Sequence, residues 1–397
     1  MELKGNIAIY GAGGIGKELY SVLSKMGKKI VCFIDKNKIE SKIDNINIIS
    51  LEESKKYNID TIIIGIFSYP KECNISDIVS LLEKYNFNKI ITFEEMFQNY
   101  YEYFPKANYY WLAPPTVFKK DIKRINKARE IFADEKSKTI FDSQIKHRLG
   151  ESYKVLEKPD YNNIQYFPED VPLEKDNINF VDLGAYIGDT LINILYNGIK
   201  INKILAFEPD IKNYKELSIN IKKLQKEHNI EEIFLLPVGV SDAIELASFN
   251  YALSDGSFFS DSGEINVPIV NIDDIIYGFK PTYIKMDIEG LEFKALNGLK
   301  NTIIKDRPNL AISLYHLPTD LYDIPLWFNE NFENYSLYLR VHFSHCFETI
   351  LYARAEQSRA EQSRAEIICR ENIYTNNNNI IIITNKLQPM LQYNIAA

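Results

Sequence analysis

The stretch NFVDLGAYIGDT, Asn179 to Thr190, decides the fold. A strand-like run reaches an acid at Asp182, Gly184 and Gly188 follow, and helical periodicity begins at Thr190. Strand, glycine turn and helix open a βαβ unit. The glycines let the backbone turn tightly, and the helix N-terminus adds partial positive charge. Outward from here the alternation continues through KILAFEP, a helix over NYKELSINIKKLQKE, and IFLLPVGVSD. It resumes with YIKMDIEG, LEFKALNGLKNTII, NLAISLYH and DLYDIPLWFNENF, and ends in YSLYLRVHF and FETILYAR. Seven strands result, with a hairpin or insertion over Glu245 to Asn271. The last two strands are close enough in sequence to form an antiparallel pair at the edge.

Upstream, IYGAGGIGKE (Ile9 to Glu18) places Gly11, Gly13 and Gly16 as GxGxxG between a strand and a helix, and Asp35 ends the next strand. The order βαβαβ predicts a parallel, Rossmann-like sheet over residues 1–99. Gly11, Gly13, Gly16 and Asp35 are read as a second nucleotide site. No catalytic constellation for hydride transfer follows the loop, so a loop that serves packing stays an equal alternative. IAIYGAGGIGKE, VCFIDKN and DTIIIGI resemble the small N-terminal domains of bacterial sugar-modifying enzymes, which implies a nucleotide or nucleotide-sugar ligand. Residues 100–174 read as a helical connector or lid. Residues 175–354 form the second domain, and residues 355–397 a low-complexity tail that opens with AEQSR in tandem.

The composition, 46% hydrophobic and 25% charged, is that of a globular protein with room for two cores. A net charge of −8 argues against a sequence-independent grip on nucleic acid. Cys32, Cys73, Cys346 and Cys369 are scattered, which argues for reduced thiols and against a structural zinc site. The N-terminus lacks the pattern of a signal peptide, and no apolar run is long enough for a membrane span, so a cytoplasmic location is the expectation.

The second loop differs from the first in its chemistry. An acid beside the turn repels a pyrophosphate but accepts hydrogen bonds from an ammonium group. Glu208, at the end of the next strand, suits a pair of ribose hydroxyls, and Gly239-Val-Ser241-Asp242 ends the third strand where adenine would lie. Together these residues favour S-adenosylmethionine. At this point the chain resembles the FkbM family of S-adenosylmethionine-dependent methyltransferases. The resemblance rests on FVDLGAYIGDT, AFEPD with Asn220, PVGVSD, and YIKMDIEGLEFKALNG, and it runs from Asn179 to Arg354. It implies a seven-stranded methyltransferase sheet with an antiparallel C-terminal edge strand, and methyl transfer to oxygen. The implied acceptor is the hydroxyl of a sugar or surface-glycan precursor. By match to the family pattern, Asp182, Gly184, Ala185, Gly188 and Glu208 are cofactor residues, with Asp242 near adenine.

Methyl transfer from a sulfonium is an in-line displacement that needs alignment and a base for the hydroxyl proton. Asp287 is the first candidate for base or positioning group, His316 the second and Glu289 the third; His342 and His345 lie further along. No metal is assigned, although several acids around one crevice leave a divalent cation as an alternative. Two other functions stay open: a nucleotide-sugar oxidoreductase or sensor using the first loop, and a non-catalytic assembly protein of a glycan pathway.

Overall fold

The structure is a computed structural model of the 397-residue chain. It describes residues 2–37, 41–66, 75–105, 109, 111–161, 164–250, 258–259, 265–276, 278–344 and 346–356. His345, most of the loop from Ala252 to Ile265, and the AEQSR tail beyond residue 356 lie outside the described residues.

The first sheet has six strands: β1 (Ile7–Tyr10), β2 (Ile30–Ile34), β3 (Lys42–Ile43), β4 (Ile46–Ile49), β5 (Thr61–Ile64) and β6 (Ile90–Ile91), in the order β3-β4-β2-β1-β5-β6. β1 pairs in parallel with both β2 and β5, as the βαβαβ pattern predicts. Helices α1 (Gly14–Lys25), α2 (Ile75–Lys84) and α3 (Phe93–Tyr100) accompany it. The expected helix over LEESKKY is instead a single 3-10 turn, Glu53–Lys56.

The second sheet has seven strands in the order β16-β17-β15-β14-β7-β8-β9. These are β7 (Ile178–Leu183), β8 (Ile201–Phe207), β9 (Glu232–Leu236), β14 (Tyr283–Met286), β15 (Asn309–Ser313), β16 (Tyr335–Val341) and β17 (Thr349–Ala355). β17 runs antiparallel to β15, with β16 outside it. The fold is therefore α/β with two Rossmann-like sheets, the second mixed at its C-terminal edge. Strand order reverses between β7 and β14, which opens a crevice at the strand ends.

IFLLPVGVSD does not form one strand. It breaks after Leu236, next to Pro237, which has no N–H for a ladder. Its second half, β10 (Gly239–Ser241), joins β11 (Glu245–Asn250), β12 (Phe258–Phe259) and β13 (Ile265–Asn271) in a separate sheet of order β10-β13-β11-β12.

The connector forms α4 (Pro115–Lys120), α5 (Ile122–Arg129) and α6 (Glu135–Arg148). These helices are part of the second core. Phe118, Ile125, Phe132 and Phe141 are buried together with Leu183, Ile284 and Leu339 of the sheet. The connector also covers the sheet edge: the amide of Ala133 donates to Leu337 O at 2.9 Å, and the amide of Leu339 donates to Ser137 Oγ at 2.8 Å. An open strand edge invites association, and this packing removes it. No helix among the described residues is long and apolar enough to cross a membrane.

Arg340 on β16, 1% exposed, locks this arrangement. Its guanidinium reaches Asp134 at 2.7 Å, Asp170 at 2.9 Å and Ser137 at 3.0 Å. Arg340→Ala is expected to lower unfolding free energy by about 3 kcal/mol in urea melts, near the low end for breaking a buried pair, because both aspartates can still meet water. At Gly184, φ is +81°, and an added Cβ would lie 1.9 Å from Asp287 O. Gly184→Ala should therefore destabilise by more than about 2 kcal/mol in the same assay, and the serine variant at least as much.

Candidate functional site

The crevice at the β7–β14 switch point encloses about 290 Å³. One end is walled by the turns after β7, β8 and β9 and includes Gly184, Tyr186, Glu208 and Val240. The other is walled by Gln165, Tyr166, Asp287, Glu289, Tyr315 and Glu348. Lys285 lines the space between strands. Among the described lining residues, five carboxylates (Asp189, Glu208, Asp287, Glu289 and Glu348) face one cation, Lys285.

At the first end the second glycine turn is held by its neighbours. Gly184 and Ala185 donate to Phe207 O at 3.1 and 2.9 Å, and the Asn220 side chain donates to Ile187 O at 2.8 Å. Gly188, φ +84°, precedes α7 (Asp189–Tyr196). Glu208 accepts the amides of Tyr186 and Asp210, each at 2.8 Å. Its carboxylate is thus fixed in orientation with lone pairs to spare. Burial raises its pKa to about 7.

Two expected cofactor contacts do not stand as the sequence reading had them. Asp182 does not face the crevice: it is wholly buried and 3.0 Å from Lys285 Nζ. The two side chains belong to register partners on β7 and β14, and they meet within the sheet. Burial raises the Asp182 carboxyl to about 6, against the pull of Lys285. Lys285 keeps its charge, because Asp182 and Asp287 outweigh its own burial. Asp242 lies just beyond β10, the strand that leaves for the four-stranded sheet. Its side chain accepts from Ser241 Oγ at 3.1 Å and is not among the crevice residues.

At the second end, Asp287 accepts the hydroxyls of Tyr166 at 3.1 Å and Tyr315 at 3.0 Å. Burial disfavours its charge, but Lys285 and His316 outweigh burial and hold the carboxyl below its ordinary range. His316 is 4% exposed and 2.7 Å from Glu292 Oε1 through Nδ1. Despite burial, Glu292, Asp287 and Glu289 raise its pKa to about 10. A ring that already carries its proton at neutral pH cannot accept another, so His316 does not fit the role of base. His342 bonds Tyr352 through Nε2 at 2.8 Å, and burial lowers its pKa to about 4, which makes it a neutral packing residue.

Lys285, Tyr166, Gln165, Tyr315 and Glu348 escaped the sequence reading. Lys285 alone left a signal, as a cation in the buried strand YIKM. Glu348 accepts from Gln165, and burial with Asp287 nearby raises it to about 7. Tyr166, Tyr186, Glu289 and Glu348 all have φ between +48° and +75° although none is glycine. Such backbone is held only where surroundings over-determine it, and it concentrates at functional sites.

In the first domain, Asp35 accepts the amides of Ala12 at 2.9 Å and Asn37 at 2.8 Å. A Cβ on Gly16 would meet Gly11 O at 2.0 Å, so that glycine serves close helix packing, while Gly13 and Gly14 are open.

Residues 182–337 match the family described as Methyltransferase FkbM domain, and residues 3–92 match C2185-like, N-terminal. The crystal structure of Methyltransferase FkbM from Methylobacillus flagellatus KT superposes with a TM-score of 0.70 at 22% identity. The match covers 88% of this chain and 89% of that one. Precorrin-6y C5,15-methyltransferase from Geobacter metallireducens GS-15 reaches a TM-score of only 0.29 at 12% identity, covering 46% of this chain and 82% of its own. No curated protein matches the chain. Within the second domain, residues 182–337 thus carry the sequence pattern of the methyltransferase FkbM domain, and the fold agrees with it.

Proposed function

We propose that the chain is an S-adenosylmethionine-dependent O-methyltransferase acting on a hydroxyl of a sugar or surface-glycan precursor. The observation that carries this reading is the excess of carboxylates in the crevice, five against one cation among the described lining residues. That balance suits a ligand bearing an ammonium and a sulfonium and opposes a diphosphate. Glu208 would hold the ribose hydroxyls, and the Val238 to Val240 wall would flank adenine. With Asp182 buried, Asp189 is the lining carboxylate near the turn that would meet the ammonium. Bound there, S-adenosylmethionine supplies an activated methyl whose sulfur leaves as a neutral thioether.

The chain's own residues then orient the acceptor and move its proton. Asp287, ionised and held by two tyrosine hydroxyls, accepts a hydrogen bond from an acceptor hydroxyl and aligns it. Its low proton affinity makes it a weak base. Glu348, with a pKa close to operating pH, is better matched to take the proton. Hydroxyl-rich neutral molecules fit this end, where Asp287, Glu289 and Glu348 would repel an anionic group. In this reading the first domain is a scaffold whose turn is tied by Asp35. A nucleotide or nucleotide-sugar ligand there would show as a separate thermal shift.

Incubation with labelled S-adenosylmethionine and a panel of glycan precursors, read by mass, should give a product heavier by one methyl. Glu208→Ala should abolish stabilisation by S-adenosylmethionine in thermal shift, whereas a response to NAD alone would favour an oxidoreductase. The acid Glu348 has its pKa raised, so its proton is held more tightly in the folded state and its basic form appears only above about pH 7. Turnover at saturating donor should therefore fall as pH drops below about 7. Glu348→Gln should lower turnover by about 10²–10⁴-fold and remove that acid limb.

A further inference from the structure

His316 is hydrogen-bonded through one nitrogen only. Glu292, fully buried, places Oε1 2.7 Å from Nδ1 and with the same oxygen accepts the Ile288 amide at 2.9 Å. The ring cannot turn without breaking that contact. Its other nitrogen, Nε2, is buried and makes no hydrogen bond. It stands 3.4 Å from Asp287 Oδ1 and 3.7 Å from Glu289 Oε2, both side chains lining the crevice. Donor atoms of Asp287, Glu292 and His316 lie within 4.8 Å of one another.

Both separations are long for good hydrogen bonds; the 3.4 Å to Asp287 is that of neighbouring ligands of one ion, and the 3.7 Å to Glu289 is slightly wider. Bonds of about 2.0–2.2 Å put adjacent donors of a tetrahedral or octahedral shell about 3–3.6 Å apart. An imidazole backed by a buried carboxylate on its far nitrogen is the usual construction around a bound metal. We propose that Asp287, Glu289 and Nε2 of His316 bind a divalent transition cation at the acceptor end of the crevice, with Glu292 fixing the ring from behind. One nitrogen with two carboxylates suits Mn²⁺, Fe²⁺ or Zn²⁺ better than Mg²⁺ or Ca²⁺, which prefer oxygen shells.

The charge balance agrees. Asp287, Glu289 and Glu292 surround one imidazole, and three carboxylates against one ring proton leave the cluster negative. A divalent ion taking the place of that proton lowers the cluster's excess from two negative charges to one. Three protein ligands leave positions open toward the crevice, where an acceptor hydroxyl would coordinate and lose its proton more readily, passing it to Glu348. This use of the ion rests on the methyltransferase reading; its binding does not.

The test reads binding. The full chain, stripped with EDTA and returned to chelator-free buffer, is titrated with Mn²⁺ while free ion is followed by electron paramagnetic resonance. One equivalent should bind and be displaced by Zn²⁺. Glu292→Gln should weaken binding by about 10–100-fold, the usual effect of removing a ligand's outer partner. Glu289→Gln, at a partly exposed side chain that leaves the core intact, should weaken it at least comparably, with circular dichroism melts verifying each fold. A wild-type chain that binds no Mn²⁺, or equal binding in the Glu289→Gln variant, overturns the site. Thermal shift with S-adenosylmethionine on the same preparations separates the two readings. Mn²⁺ bound without that shift sinks the methyltransferase reading and keeps the site, and the reverse result sinks the site alone.

Discussion

The ion pair of Lys285 with Asp182 is the constraint on which the second domain turns. The two are register partners on the central strands β14 and β7, 3.0 Å apart, and 3% and 0% exposed. Neither charge is tolerable there without the other, since an unpaired charge in that position would destabilise by about 3–5 kcal/mol. Lys285 does more than neutralise Asp182. It donates to Gly184 O, which ties the glycine turn to the strand beside it, and stands 5.6 Å from the Tyr166 ring. Its charge also helps keep Asp287 ionised. One ammonium group thus couples the two ends of the crevice.

The crevice is assembled from parts distant in sequence. Gln165 and Tyr166 come from the connector, Asp287 and Glu289 from the end of β14, Tyr315 from the end of β15, and Glu348 from the turn before β17. Tyr166 is held in its left-handed backbone by bonds from Tyr283 to its carbonyl and from its amide to Tyr352, at 3.3 Å. The strained residues are therefore braced by the core. This is why a site so rich in like charge keeps its shape.

The two domains share a device. In each, the acid ending the second strand accepts an amide of the glycine turn: Asp35 from Ala12, and Glu208 from Tyr186. They diverge one strand earlier, where Tyr10 ends β1 with no acid in the strand, while β7 contains Asp182. The first turn accordingly lacks the buried pair that organises the second. Similar turns thus lead to different electrostatics.

Much of the fold was legible in local pattern. Strand, glycine and helix alternation is set by steric and periodic rules that act over a few residues, so the glycine turns could be read from Ile9 to Glu18 and Asn179 to Thr190, both sheets from the alternation that follows each, and the edge pair from YSLYLRVHF and FETILYAR. The acids at 208 and 287 were legible for the same reason, because a strand end points its last side chain at the crevice. What local pattern could not decide was which charges meet. Asp182 reads as a ligand contact until β14 brings Lys285 beside it, and His316 reads as a base until three carboxylates surround it. The break at Pro237 puts Gly239–Ser241 in another sheet and leaves Asp242 beyond its end, outside the crevice lining, and Tyr166 and Glu348 enter the site only because distant segments pack there. Periodicity belongs to the chain, whereas proton affinity and pairing depend on distances that exist only after folding.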